Sequence, residues 1–296
     1  MLLEVFNLSG DSLRVRFGPA GRPPSFKGPI VELPVFLRNE GLDALEYQAV
    51  RGVSISEDTA KRLGHVAKEC DVLLSLHAPY AINLSSAKKE TIEASKERLV
   101  ASLQAAYWMG AHVVVFHPGY YGKYTPEEAL GLCIAALKEV RERAKSLGIQ
   151  GVLLGPETTG KLSQVGSLEE IIKMCEEVED TVPVIDWAHI HSREQGLFRS
   201  KEDYLRITNI IEERLGHGIV KSLHCHFTKV EYGKKGELRH HPLEAEGYGP
   251  PFEPLAELIV EHGYSFTIIS ESPLLDVDAI RMKSILESIR STIKQR

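Results

Sequence analysis

Eight short apolar runs alternating with longer amphipathic stretches predict an α/β fold, a single (β/α)₈ TIM barrel spanning residues 1–296. Three observations carry the prediction. The alternation runs from end to end with no Ser- or Pro-rich linker and no low-complexity segment. The length of 296 residues suits a barrel, which typically takes about 250. No G-x-G-x-x-G follows the first strand, which disfavours a doubly wound open sheet.

The first strand is read at Ser12–Phe17 and the second at Ala44–Gln48, with the Gly/Pro-rich stretch Gly18–Gly28 as a surface loop between them. The third, Val72–Leu76, leads into a helix over Ala87–Met109 that stops at Gly110. The fourth, His112–Phe116, precedes Pro126–Leu147, where Pro-Glu-Glu suits a first turn and Gly148 ends the helix. After the fifth strand, Gly151–Leu154, Ser167-Leu-Glu-Glu170 reads as a capping box opening Leu168–Glu179. The sixth, Val182–Ile185, is followed by Lys201–Leu215, which stops at Gly216. The seventh is Val220–His226, the eighth is Ser265–Ser270, and Asp276–Ile293 closes the chain. Strands apolar on both faces are what a parallel sheet covered by helices requires.

Composition narrows the function. Lys and Arg number 35 against 41 Asp and Glu, a formal charge of −6, which argues against a protein that simply coats nucleic acid. No run of apolar residues is long enough to span a membrane, and the N-terminus shows no secretory signal. The cysteines Cys70, Cys133, Cys175 and Cys225 form no C-x-x-C pair, so reduced thiols in the cytoplasm are expected. Histidine stands out at 12 residues, many of them at strand ends.

In a barrel, chemistry gathers at the C-terminal ends of the strands. Those ends carry His77, His117, Glu157, Asp186 with His189, His224 with His226, and Glu271, spaced by about one βα unit each. Imidazole and carboxylate together suit Zn²⁺ or Mn²⁺, whereas an all-oxygen set would suit Mg²⁺ or Ca²⁺. A second cluster follows the seventh strand, from Lys229 to Pro242. A solvated charged loop is its plain reading, but above the bowl its Glu237 and His240 or His241 can complete another metal site.

These residues resemble the endonuclease IV (deoxyribonuclease IV) family of apurinic/apyrimidinic endonucleases, within the xylose-isomerase-like barrels. The similarity runs from about Val72 to Pro273, on His77-Ala-Pro-Tyr80, Ile82-Asn-Leu84, Phe116-His-Pro-Gly119, Asp186-x-x-His189, Arg239-His-His241 and Glu271-x-Pro273. The resemblance implies three Zn²⁺ ions, with Mn²⁺ as a possible occupant. His77, His117 and Glu157 would hold the first ion, and Glu157 would bridge to a second held by Asp186, His224 and Glu271. His189, Glu237 and His240 would hold the third. It further implies a monomer that cleaves damaged double-stranded DNA on the 5′ side of an abasic site, with Glu157 and Glu271 catalytic. Tyr80 would sit near the abasic gap, and Arg51 is a candidate DNA contact.

The chain also departs from the family. His224-Cys-His-Phe227 replaces His-Leu-Asn-Asp, and both histidines face one side of a strand. His224 is preferred over His226 because Lys229 and Gly233 then align without a gap. Glu237 stands where Asp is usual, and the family's Gly-Ala-His-Val-Ser opening is missing. The alternative enzyme is a one-metal sugar isomerase or epimerase of the same barrels, using Glu157, Asp186, His224 and Glu271. A module that recognises damaged DNA without cutting it is the non-enzymatic alternative.

Overall fold

The computed structural model describes residues 14–295. Its strands are β1 (Arg16–Pro19), β2 (Ala44–Gln48), β3 (Leu73–His77), β4 (Val113–Phe116), β5 (Gly119–Tyr120), β6 (Leu153–Pro156), β7 (Gln164–Val165), β8 (Val184–Asp186), β9 (His224–Phe227), β10 (Lys229–Gly233), β11 (Gly236–His241) and β12 (Thr267–Ser270). Parallel pairing orders them as β2-β3-β4-β6 and β8-β9-β12-β1. Single bridges join the two sheets at both seams, Ala20 to Glu46 and Glu157 to Val184, so the eight strands close into a barrel.

The helices are α1 (Leu33–Asn39), α2 (Glu57–Glu69), α3 (Lys89–Met109), α4 (Pro126–Ser146), α5 (Leu168–Glu177), α6 (Trp187–Arg193), α7 (Lys201–Leu215), α8 (His217–Lys221), α9 (Glu253–His262) and α10 (Asp276–Lys294), of which α6 packs against β9 and the β10–β11 segment. Their starts are chemically marked. Thr125 and Ser167 each accept the N–H of a glutamate three residues on, and that glutamate returns to the cap backbone, closing capping boxes on α4 and α5. Ser56 caps α2 by accepting from the Thr59 N–H. Gly110 and Gly263 end α3 and α9 in the left-handed conformation that glycine adopts without strain.

Strand parity sorts the core. Val113, Val115, Leu153 and Val184 point inward and fill the lumen, while the larger cluster lies between barrel and helices. Continued upward, the inward positions reach Gln48, His77, His117, Glu157, Asp186 and His226 at the C-terminal mouth. The same parity makes Glu46 and His224 inward residues one step lower.

Three sequence expectations change. Ser12 and Leu13 of the first strand lie outside the described residues, and the observed strand starts at Arg16. The seventh barrel strand starts at His224, because Gly216 ends α7 and opens the short α8, which takes up Val220. The charged segment after it is the antiparallel hairpin β10–β11, with a bulge between Glu231 and Tyr232, rather than a solvated loop. No helix among the described residues is long and apolar enough to cross a membrane.

Candidate metal centre

Glu157 is the hub. It follows β6, is fully buried, and meets four imidazoles: His77 Nε2 at 3.3 Å, His117 Nε2 at 3.0 Å, His189 Nδ1 at 3.2 Å and His226 Nδ1 at 3.1 Å. Three groups of ligand-type side chains close around it. One is His77, His117 and Glu157, a second is Glu157, Asp186, His226 and Glu271, and a third is His189, Glu237 and His240.

Backbone carbonyls set which ring nitrogen faces these groups. A carbonyl only accepts, so His77 Nδ1–H donates to Ala78 O (2.9 Å), His189 Nδ1–H to Thr158 O (2.8 Å) and His240 Nδ1–H to Glu271 O (3.1 Å). In each neutral ring Nε2 is left as a lone pair. His77 Nε2 faces Glu157, and His189 and His240 Nε2 each lie 3.3 Å from Glu237. Metal-binding histidines are oriented in this way, with the second nitrogen donated to a fixed acceptor.

Within these three groups two buried atoms are left without a hydrogen-bond partner. Asp186 Oδ1 caps α6 by accepting the His189 N–H at 2.7 Å, but Oδ2 has no donor. His240 Nε2 is near Glu237 yet is not aligned for a hydrogen bond. An unpaired carboxylate oxygen and an unpaired imidazole nitrogen, both aimed into clusters of like donors, fit divalent cations. The nitrogen and oxygen donors suit Zn²⁺ or Mn²⁺.

Electrostatics in the cation-free protein agree. Burial pushes the Asp186 carboxyl up; His189 opposes this, and the Glu271 and Glu157 carboxylates reinforce it. Burial alone would lower His77, but its bond to Glu157, with Glu46 and Glu271 nearby, raises it to about 9. His240 also rises to about 9, where Glu237 overrides the cost of burial. Protons thus occupy positions that cations can take.

The hairpin brings the third group over the bowl through a close backbone approach. Glu237 N–H donates to Gly160 O at 3.2 Å, and Lys161 bridges to Gly236. A Cβ on Gly236, whose φ is +96°, would overlap the Gly160 carbonyl oxygen. Only glycine allows that packing.

The structure brings His77, His117, Glu157, Asp186, His189, Glu237, His240 and Glu271 together in these groups. It does not place His224 there. Pairing in register with Asp186, His226 reaches the mouth, while His224 is level with Val184 and bonds Glu46 at 3.0 Å. Where the sequence led to an expectation of His224, the structure places His226 in the group with Glu157, Asp186 and Glu271, and His224 in a group with Glu46 and His226. His241 also stays out of the groups and bonds Glu231 at 3.2 Å. Tyr80 is 64% exposed on the loop after β3, and Arg51 is exposed on the loop after β2, both at the mouth end. Sequence reasoning missed Glu46, fully buried in the otherwise ordinary strand β2. Its inward parity was the available signal.

The model of the xylose isomerase-like TIM barrel family matches residues 35–294. The uncharacterized protein MJ0133 of Methanocaldococcus jannaschii is 34% identical over 264 residues, covering 89% of this chain and 94% of its own. A probable endonuclease 4 of Mycoplasma genitalium is 28% identical over 190 residues, covering 63% of this chain and 62% of its own. Among solved structures, endonuclease IV from Thermus thermophilus superposes with a TM-score of 0.69 at 20% identity, covering 92% of this chain and 99% of that one. An L-ribulose 3-epimerase gives a TM-score of 0.67 at 14% identity, covering 95% and 96%. At such identities both structures speak for the fold alone. By the extent of the family match, the chain belongs to the xylose isomerase-like TIM barrel family.

Proposed function

We propose that this protein is a zinc-dependent endonuclease that hydrolyses the DNA phosphodiester on the 5′ side of an abasic site, with Mn²⁺ able to replace Zn²⁺ in part. One observation carries the reading: the third group, His189–Glu237–His240, stands beside the two groups joined by Glu157. A one-ion sugar enzyme has no use for it. The probable endonuclease 4 among the relatives adds support from sequence.

His77, His117 and Glu157 would hold one ion; Glu157, Asp186, His226 and Glu271 a second; His189, Glu237 and His240 a third. Zn²⁺ so bound supplies Lewis acidity, lowering the pKa of water toward ~7 and neutralising charge on phosphate oxygens. Glu157 and Glu271 would lie beside the scissile phosphate and orient the attacking water. Tyr80 and Tyr120, 64% and 43% exposed, would offer faces to bases left unstacked at the abasic gap. The exposed Lys161, Lys234, Lys235 and Arg239 around the hairpin would meet backbone phosphates, with Arg51 on the loop after β2.

A second reading rests on the group Glu157–Asp186–His226–Glu271, which by itself would serve a one-ion sugar epimerase. Metal counting after gel filtration from excess zinc separates the two. Close to three ions per chain is expected. Close to one, with epimerisation of a ketohexose, would favour the sugar enzyme.

A further inference from the structure

The geometry points to Glu46 as a positioning residue, the carboxylate inside the barrel that holds the His226 ring so that its Nδ1 is offered to the cation shared with Glu157, Asp186 and Glu271. This inference rests on the metal-centre reading above and deepens it. His77, His189 and His240 are each fixed by a backbone carbonyl, but His226 is fixed by a side chain. Its Nε2 lies 3.1 Å from Glu46 Oε1 and 3.2 Å from Oε2, nearly symmetric between the two oxygens. A carboxylate in that position accepts a hydrogen bond from Nε2–H, so in the neutral ring the proton stays on Nε2 and Nδ1 carries the free lone pair. That nitrogen lies 3.1 Å from Glu157 Oε1 and 3.2 Å from Glu271 Oε1.

Glu46 is itself held from every side. Gln48 Nε2 donates to Oε1 at 3.1 Å, while Ser75 Oγ and His224 Nε2 donate to Oε2, each at 3.0 Å. With His226, these donors use the roughly four lone-pair sites of a carboxylate. Glu46, His224 and His226 are close enough together to hold an ion of their own. The filled lone pairs of Glu46 argue instead for an outer carboxylate, one that orients a ligand without being one. His224 thereby acquires a role: it braces Glu46 from below.

Outer partners of metal-bound histidines typically contribute 10–100-fold to metal affinity. The test compares wild type with Glu46→Gln in zinc-buffered dialysis, counting zinc per chain at each free concentration. It is joined by a ¹H–¹⁵N histidine spectrum of the zinc-loaded wild type. Expected for Glu46→Gln is a 10–100-fold weaker affinity for one ion of the set, with the remaining ions retained. Expected for wild type is a His226 ring metallated at Nδ1, with a slowly exchanging low-field proton on Nε2. Unchanged affinities in Glu46→Gln would overturn the role of Glu46 and leave the metal centre standing. Failure of wild type to bind zinc would overturn both. If Glu46→Gln does not fold, the wild-type spectrum decides: metal on Nε2 of His226, or no proton there, refutes the assignment.

Discussion

Replacing the two histidines of β9 one at a time separates the ligand from its brace. In His226→Asn the shorter side chain withdraws Nδ1 from its positions 3.1 Å from Glu157 and 3.2 Å from Glu271, and Nε2 from Glu46. One of four ligand groups is lost from the shared cluster. The affinity loss should be at least the 10–100-fold that an outer-shell change costs, so about 3 kcal/mol or more at the upper end. Without cation, hydrogen bonds to charged partners contribute about 1.5–3 kcal/mol each, so losing those to Glu157 and Glu46 should cost about 3–6 kcal/mol of stability. His224→Asn removes only the 3.0 Å contact with Glu46, at about 1.5–3 kcal/mol. Its zinc affinity should fall less than that of Glu46→Gln, since His224 lies outside the shared group and acts on it through Glu46. Equilibrium dialysis against chelator-buffered zinc, with metal read by mass spectrometry, gives the affinities, and urea unfolding of the stripped proteins gives the stabilities. If His224→Asn loses its zinc and His226→Asn keeps it, the assignment of β9 is wrong.

Three further outcomes follow from the same geometry. His77 and His240 rise from an ordinary 6.5 to about 9 in the cation-free fold, so their contribution is complete below pH 6.5 and is lost as pH rises toward 9. The melting temperature of stripped protein should therefore fall across that window, and an unchanged or rising value would contradict the pairing with Glu157 and Glu237. Gly236→Ala should lift the hairpin from Gly160 and release one zinc per chain while the other ions stay, as metal counting would reveal. Tyr80→Ala should leave the zinc content intact and raise KM for an abasic duplex several-fold, and an unaltered KM would remove Tyr80 from the DNA surface.

Much of this was legible in the sequence because the signals are local. The capping boxes at Thr125 and Ser167 and the stops at Gly110 and Gly216 mark helices by hydrogen-bond chemistry confined to one turn. His77, His117, Glu157 and Asp186 could be read because each ends an apolar run, and barrel topology carries strand ends to one mouth. His224 and His226 could not be told apart by parity, since period two gives both the same face. What separates them is axial height, which the register with Asp186 fixes. Glu46 sits mid-strand, and its reason for being there lies on β3 and β9, far away in sequence. The hairpin β10–β11 reads as a charged loop because its partner is the Gly160 backbone, which side-chain patterns do not reveal.

The most direct test is to incubate the zinc-loaded protein with a duplex oligonucleotide carrying one abasic site, labelled at the 5′ end of the damaged strand. The expected product is a single fragment ending in a 3′-hydroxyl immediately 5′ of the lesion, absent with Glu157→Gln and absent with an undamaged duplex. An intact strand under zinc, manganese and magnesium alike would contradict the account.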